Sequence, residues 1–171
     1  MKKILITFSV LICLSSATIA QTSKKTWMLG GSASYSSTKE GEVTSTDLEF
    51  QPGVGYFFAN NFAAGINFDV FRKAEGESEE NKYAIDPFIR YYFASLAKNA
   101  KVFASAQAVI GNELEDAKNN LSGWGLDLGS ALFVTKNLAL ETTVGYTSTK
   151  GSLEDVRDNT VSVKIGFRVH L

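Results

Sequence analysis

Ten charged residues occupy alternate positions of otherwise apolar runs, so they would face away from the apolar side chains. They are the carboxylates Asp47, Glu49, Asp69, Asp86, Asp127 and Glu141 and the cations Arg90, Lys101, Lys164 and Arg168. A charge shielded from water must be paired and hydrogen-bonded, because an isolated buried charge is very costly. Six carboxylates against four cations are near balance. The pattern therefore predicts an internal ion-pair network with some trapped water.

Candidates for catalytic or metal chemistry are few. The chain has one histidine, His170, next to the C-terminus, and one cysteine, Cys13. Acid–base or nucleophilic catalysis usually needs a histidine beside a serine or an acidic residue. No Cys/His cluster has the spacing of a transition-metal site, and the glutamates between 75 and 80 lack the glycine turn of a calcium loop. We therefore expect neither an enzyme nor a cofactor or metal, and we interpret His170 as structural.

Eight stretches of the chain alternate apolar and polar residues with a period of two. Because successive side chains of a β-strand point to opposite faces, this period predicts strands. The predicted strands span residues 27–36, 46–57, 62–71, 83–93, 101–111, 123–134, 138–147 and 160–171. Pro52 and Pro87 fall inside the second and fourth strands. Since proline cannot donate to a ladder, we expect a bulge or a locally open pair at each.

The apolar faces of these strands suit a lipid bilayer. In the last strand Lys164, Arg168 and His170 share one face, and the other face is wholly apolar. A cation facing hydrocarbon would cost kcal/mol, so the polar faces must point to a wet or ion-paired interior. The aromatic residues form two belts, Trp27, Tyr56, Phe62, Tyr91 and Phe93 toward one end and Tyr35, Tyr83, Trp124 and Tyr146 toward the other. Two such belts flanking an aliphatic band are typical of transmembrane strands.

The predicted connections alternate in length. Those at 58–61, 94–100 and 135–137 are short, whereas those at 37–45, 72–82, 112–122 and 148–159 are longer and highly charged. Long external loops and short periplasmic turns are the arrangement of outer-membrane barrels. The four longer stretches carry 12 acidic and 7 basic residues, a net charge of −5. Solvation is the ordinary role of such an acidic cap, and an extracellular partner held electrostatically is the alternative.

The N-terminus has the pattern of an export signal. Two lysines precede an apolar run from 4 to 14, and small residues end at Ala20. This predicts a secretory signal peptide over 1–20 and one mature domain over 21–171. Without Lys2 and Lys3, the 17 basic residues become 15 against 18 acidic, a net charge of −3. An acidic domain is a poor candidate for nucleic-acid binding.

Several motifs resemble one family. Lys164, Gly166, Val169 and Leu171 match the C-terminal strand pattern that marks bacterial outer-membrane barrels for assembly, and residues 51–57 (QPGVGYF) and 86–93 (DPFIRYYF) are similar to strands of its small members. Over the mature chain the sequence resembles the eight-stranded OmpA/OmpX-type, porin-like barrels. The resemblance implies an all-β, eight-stranded, antiparallel up-and-down transmembrane barrel in the bacterial outer membrane. It also implies contact with outer-membrane lipids, delivery to the barrel-assembly machinery through the last strand, and a monomer.

Barrel width sets the functional expectation. Eight strands enclose an interior just wide enough to be filled by side chains, so a polar plug is favoured over a gated ion path. We expect a structural or surface-interaction role and no wide diffusion pore. Two alternatives remain at this point. One is an outer-leaflet, lipid-active barrel enzyme; the other is a secreted lipocalin-like carrier, whose apolar faces would point inward around a small molecule.

Overall fold

The computed structural model describes residues 22–40, 43–75, 78–113, 120–151 and 157–171. The strands form a closed antiparallel barrel in chain order. They are β1 Trp27–Glu40, β2 Val43–Ala59, β3 Phe62–Glu75, β4 Ser78–Ala97, β5 Ala100–Glu113, β6 Asn120–Phe133, β7 Leu138–Gly151 and β8 Asp158–His170. The fold predicted from the alternation is therefore confirmed. Nowhere in the described ranges is there a helix long and apolar enough to cross a membrane.

Alternation sorts the side chains between the two faces of the wall as the sequence predicted. In β4, Ile85, Ile89 and Phe93 are exposed on the outer face, and Asp86 and Arg90 are buried inside. The same order continues in β6 and β7, where leucines and valines point outward. Outward apolar faces are the reverse of a lipocalin-like carrier, so that alternative is wrong.

The two ends of the barrel differ, and we name them by their connections. The turn end carries Thr22 and Leu171, the first and last residues that the structure describes, together with the tight connections β2–β3, β4–β5 and β6–β7, and the opposite strand ends define the far end. The strands at the far end are longer than predicted. The stretch 72–82, expected to be a loop, is mostly strand, since β3 runs to Glu75 and β4 begins at Ser78. The β3–β4 ladder continues there through the register pairs Lys73↔Glu80 and Glu75↔Ser78.

Other predictions fall outside the described part of the chain. The signal peptide over 1–20 lies there entirely. Of the acidic cap, Glu42, Glu77, Glu115, Asp116, Glu154 and Asp155 lie outside the described residues. Glu40, Glu75, Glu79, Glu80 and Glu113 are described as strand backbone only. The cap thus stays a prediction.

Both prolines lie where a ladder is interrupted. The β2–β3 register skips from Phe50↔Val70 to Gly53↔Asn67, so Pro52 has no partner on that side. The β4–β5 register skips from Ile85↔Ile110 to Phe88↔Gln107, which leaves out Pro87. The expectation of a locally open pair at each proline is confirmed. The physical reason is that proline has no N–H to donate.

Candidate functional site: the barrel interior

The turn end is closed by an aromatic plug. We define the plug as Met28, Phe57, Tyr92, Phe103, Phe133 and His170, all of them buried. The rings are in contact in series, with centroids 5.8 Å apart for Phe57–Tyr92, 5.4 Å for Tyr92–Phe103 and 5.2 Å for Phe133–His170. Sequence analysis did not recognise a plug. The sequence did contain a sign of it, because several strands carry a large apolar residue on their inward face at a similar distance from the turn end.

His170 belongs to this plug and lies far from the open end of the interior. Its ring is 5.7 Å from that of Phe57 and 5.2 Å from that of Phe133, and the residue is only 2% exposed. Its backbone is tied to the β6–β7 turn, since Asn137 Nδ2 donates to the His170 carbonyl at 2.7 Å. These contacts support the structural interpretation of His170.

A short N-terminal segment covers the plug from outside. Residues 22–26 cross the turn end, where Asn61 N donates to the Thr22 carbonyl at 2.8 Å and Lys25 N to the Phe57 carbonyl at 2.8 Å. Lys101 Nζ donates to Thr22 Oγ1 at 2.5 Å and to Asn61 Oδ1 at 3.2 Å. Lys101 was predicted to join the carboxylate network. Its described partners are neutral oxygens instead. Lys101 is the second residue of β5, so it lies on the turn-end side of the plug, away from the carboxylates.

Asn61, between β2 and β3, holds the N-terminal segment in place. It has a φ of 64°, a left-handed conformation that costs most non-glycine residues roughly 1–2 kcal/mol. Its side chain accepts from Thr22 Oγ1 at 2.6 Å. We expect Asn61→Ala to lower the free energy of unfolding by about 1–2 kcal/mol, measured by urea titration in detergent. Asn61→Gly keeps the backbone conformation and should lose less. Equal stability of the alanine variant and the parent would contradict this role.

The middle of the barrel holds a buried charge cluster, defined as Arg90, Glu141 and Arg168. Arg90 Nη1 donates to both carboxylate oxygens of Glu141 at 2.9 Å, and Arg168 Nε lies 3.4 Å from Glu141 Oε2. The three residues are between 2% and 6% exposed. Two guanidinium groups thus share one carboxylate, an arrangement that needs further partners to be stable.

Neutral and aromatic groups supply those partners. Arg90 Nε donates to Ser105 Oγ at 3.0 Å, and Arg168 Nη2 donates to Asn67 Oδ1 at 3.4 Å. The Arg90 guanidinium carbon lies 4.0 Å from the centroid of the Phe103 ring, within the range of a cation–π interaction. Sequence analysis considered charges only, so Asn67, Ser105 and Phe103 were missed. Their inward register positions were the available signal.

A second ion pair lies nearer the far end. Lys164 Nζ pairs with Glu49 Oε1, and Ser34 Oγ donates to Glu49 Oε2 at 3.0 Å. Asp86 is fully buried and accepts from Gln51 Nε2 at 3.2 Å. Asp69 lines the interior beside Glu49 and Lys164, and Asp127 lines it beside Glu141 and Lys164. Asp47 lies in β2 opposite Ser36, but its side chain is outside the described set.

Above the charge cluster the interior opens into a far-end cavity of about 170 Å³. Its polar lining includes Glu49, Asp69, Asp158 and Lys164, with hydroxyl groups from Thr160 and Ser162. Its apolar lining includes Ala84, Val109 and Leu121. Four layers therefore follow one another from the turn end to the far end. They are the segment 22–26, the aromatic plug, the buried charge cluster and the far-end cavity. The interior has the form of a cup that is closed at the turn end.

Comparisons with known proteins agree with this geometry. The family model for the outer membrane protein beta-barrel domain matches residues 6–168. Neisserial surface protein A is 15% identical, with 84% of this chain and 96% of that chain covered and a TM-score of 0.66. The N-terminal β-barrel domain of Pseudomonas aeruginosa OprF is 10% identical, with coverages of 86% and 98% and a TM-score of 0.55. Pseudomonas aeruginosa OprG is 14% identical, with coverages of 89% and 98% and a TM-score of 0.53. None of the curated proteins compared with the chain matches it.

The chain belongs to the outer membrane protein beta-barrel domain family. The resemblance to small outer-membrane barrels is thus confirmed, and membership implies the bacterial outer membrane as its location. The structural similarities, at such low identity, show a shared fold and not a shared activity.

Proposed function

We propose that this protein is a sealed, non-catalytic outer-membrane barrel with a structural or surface-interaction role, and that it does not form a diffusion pore. The observation that carries the proposal is the filled cross-section at the turn end and middle. The plug residues Phe57 and Phe103 and the cluster residue Arg168 are each at most 2% exposed. Eight strands leave little room beyond such side chains.

The absence of catalysis is part of the same proposal. His170 is packed between the Phe57 and Phe133 rings at the turn end, away from the far-end cavity. A general base must be within hydrogen-bond reach of the proton it abstracts, and the aromatic packing around His170 offers no such space. A lipid-active enzyme would need another base at the far end.

The same proposal covers the partners of the barrel. The exposed apolar band on β4, β6 and β8 fits membrane lipids, and β8 carries the residues that resemble the assembly signal. We propose that the barrel acts as a monomer, since closure of the sheet leaves the described strands paired within one chain along most of their length. The acidic stretches of the far end would meet any basic extracellular partner.

Conductance tests the sealed lumen. In a planar lipid bilayer we expect no discrete current steps from the purified protein, because the plug and charge cluster block the path of ions. A general porin in the same bilayer serves as the positive control, since its wider barrel leaves an aqueous channel. Steps whose ion selectivity changes on Lys164→Glu would arise from the lumen and would refute the proposal. Selectivity is the decisive readout because a contaminating porin would be insensitive to that substitution.

A further inference from the structure

The charged side chains of the turn end are all of one sign. This end is made by residues 22–27 and by the connecting stretches 58–62, 94–101 and 134–138. Every charged side chain within these stretches is a lysine, namely Lys24, Lys25, Lys98, Lys101 and Lys136. Lys101 turns inward and donates to Thr22, and the other four lysines are exposed. The turn end therefore presents a basic surface, opposite in sign to the acidic stretches predicted at the far end.

An aromatic row lies on the outer face beside these lysines. It consists of Phe58, Phe62, Tyr91 and Phe93, whose ring centroids are 5.7, 4.6 and 6.4 Å apart in series. The four side chains are between 37% and 51% exposed. Exposed aromatic rings at one level of a barrel mark the interface between lipid and water. The row therefore places the neighbouring lysines at the depth of the lipid headgroups.

The N-terminal segment holds two lysines at one end of the aromatic row. Lys24 N donates to Asn60 Oδ1 at 2.9 Å, and Asn60 lies in the β2–β3 connection between the first two residues of the row. Lys25 N donates to the Phe57 carbonyl at 2.8 Å, and Lys25 precedes the belt residue Trp27 by two positions. Both backbones are thus anchored to the barrel, so both ammonium groups stay close to the interface.

The β4–β5 connection holds a third lysine at the other end of the row. Lys98 lies directly after β4, whose last large exposed side chains are Phe93 and Leu96. Leu96 is 70% exposed, more than any member of the aromatic row. The connection is fixed against β6, because the Asn99 carbonyl accepts Phe133 N at 2.7 Å. A lysine stem can lie along such apolar surface while its ammonium group reaches the headgroups.

We infer that the aromatic row and the lysines that flank it form a docking surface for the anionic headgroup of a phospholipid in the periplasmic leaflet. A lysine near an anionic lipid surface is attracted to it, and Lys24, Lys25 and Lys98 act on the same interface. Exposed rings and Leu96 favour a lipid over a soluble acidic partner, because a lipid covers the apolar surface as well as the charges. The inference rests on the proposed contact with membrane lipids and adds the charge of the headgroup.

Fluorescence quenching by brominated lipids tests the headgroup. The chain has two tryptophans, Trp27 in the turn-end belt and Trp124 at the far end, which are 52% and 45% exposed. In the protein without residues 1–20 and with Trp124→Phe, reconstituted in phosphatidylcholine vesicles, Trp27 alone reports the lipid beside the lysines. We expect brominated phosphatidylglycerol to bind there at least about fivefold more strongly than brominated phosphatidylcholine. The Trp27→Phe variant, which reports from Trp124, should show no such preference.

Charge variants assign the preference to the three lysines. The combined variant Lys24→Gln, Lys25→Gln and Lys98→Gln should lose it, and the corresponding triple arginine variant should keep it because the charges remain. Lys136→Gln is the matched control, since Lys136 is an exposed lysine of the β6–β7 connection that does not flank the aromatic row. It should change the preference little. Added salt should weaken the preference in the parent, because exposed charges are screened.

The outcomes separate the headgroup site from the proposed function. Equal quenching of Trp27 by the two lipids, or a preference that survives in the glutamine variant, would overturn the site and leave the membrane contact intact. Quenching by neither lipid would refute the membrane contact as well. Lysine-dependent binding of soluble polyglutamate without a lipid preference would also overturn the site, in favour of a soluble acidic partner. Conductance is measured independently, so none of these results bears on the sealed lumen.

Discussion

Glu141→Gln is expected to destabilise the folded barrel by about 3–5 kcal/mol, the cost typical of breaking a buried ion pair from one side. Glu141 is the carboxylate that Arg90 and Arg168 share, with Nη1 of Arg90 at 2.9 Å and Nε of Arg168 at 3.4 Å. Glutamine keeps the shape of the side chain and removes only its charge. Two buried guanidinium groups would then repel one another without a counter-ion. Urea unfolding in detergent micelles, followed by heat-modifiable gel mobility, measures the effect.

Two related variants test whether the shared carboxylate is the reason for this loss of stability. Arg90→Met leaves Glu141 paired with Arg168, so the remaining cluster is neutral and the loss should be smaller. Glu49→Gln removes the partner of Lys164 beside the far-end cavity, where water can solvate the lysine, so its loss should be the smallest. If all three variants lost the same free energy, the shared carboxylate would have no special role, and the interior would be uniformly wet.

Phe103→Ala should cost about 3–5 kcal/mol because it opens a cavity that nothing fills. Phe103 is fully buried, its ring is 5.4 Å from that of Tyr92, and it lies under the Arg90 guanidinium. Gly129 makes room for it, since a Cβ atom there would lie 2.9 Å from Phe103 Cε2. The substitution therefore removes packing and a cation–π contact together. The free energy of unfolding in urea is again the measurement.

A phenylalanine on the opposite face of the wall provides the control. Phe50 is 55% exposed on the outer face, where lipid or detergent chains can occupy the space left by Phe50→Ala. Its loss should be near the transfer cost of the side chain alone, well under that of Phe103→Ala. If the two variants were equally unstable, packing in the plug would not distinguish the interior from the lipid face.

The sequence by itself determined which way each side chain faces. The pleat of a strand alternates side chains locally, so the inward positions of Asp86, Arg90, Glu141 and Lys164 could be predicted without any knowledge of neighbouring strands. The locally open pairs at Pro52 and Pro87 could be predicted too, because the missing N–H is a property of the residue itself. The number of strands followed from the count of alternating runs.

The tertiary structure decided which charges meet. Arg90 is on β4 and Glu141 is on β7, and their contact across the lumen depends on the stagger of all strands around the closed barrel. No local pattern encodes that stagger. Closure also decided that Lys101 meets Thr22 and Asn61, that the β1–β8 ladder ends at Ala33 and Ile165, and that the predicted loops 37–45 and 72–82 are largely strand. Each depends on where distant segments come to lie when the sheet closes.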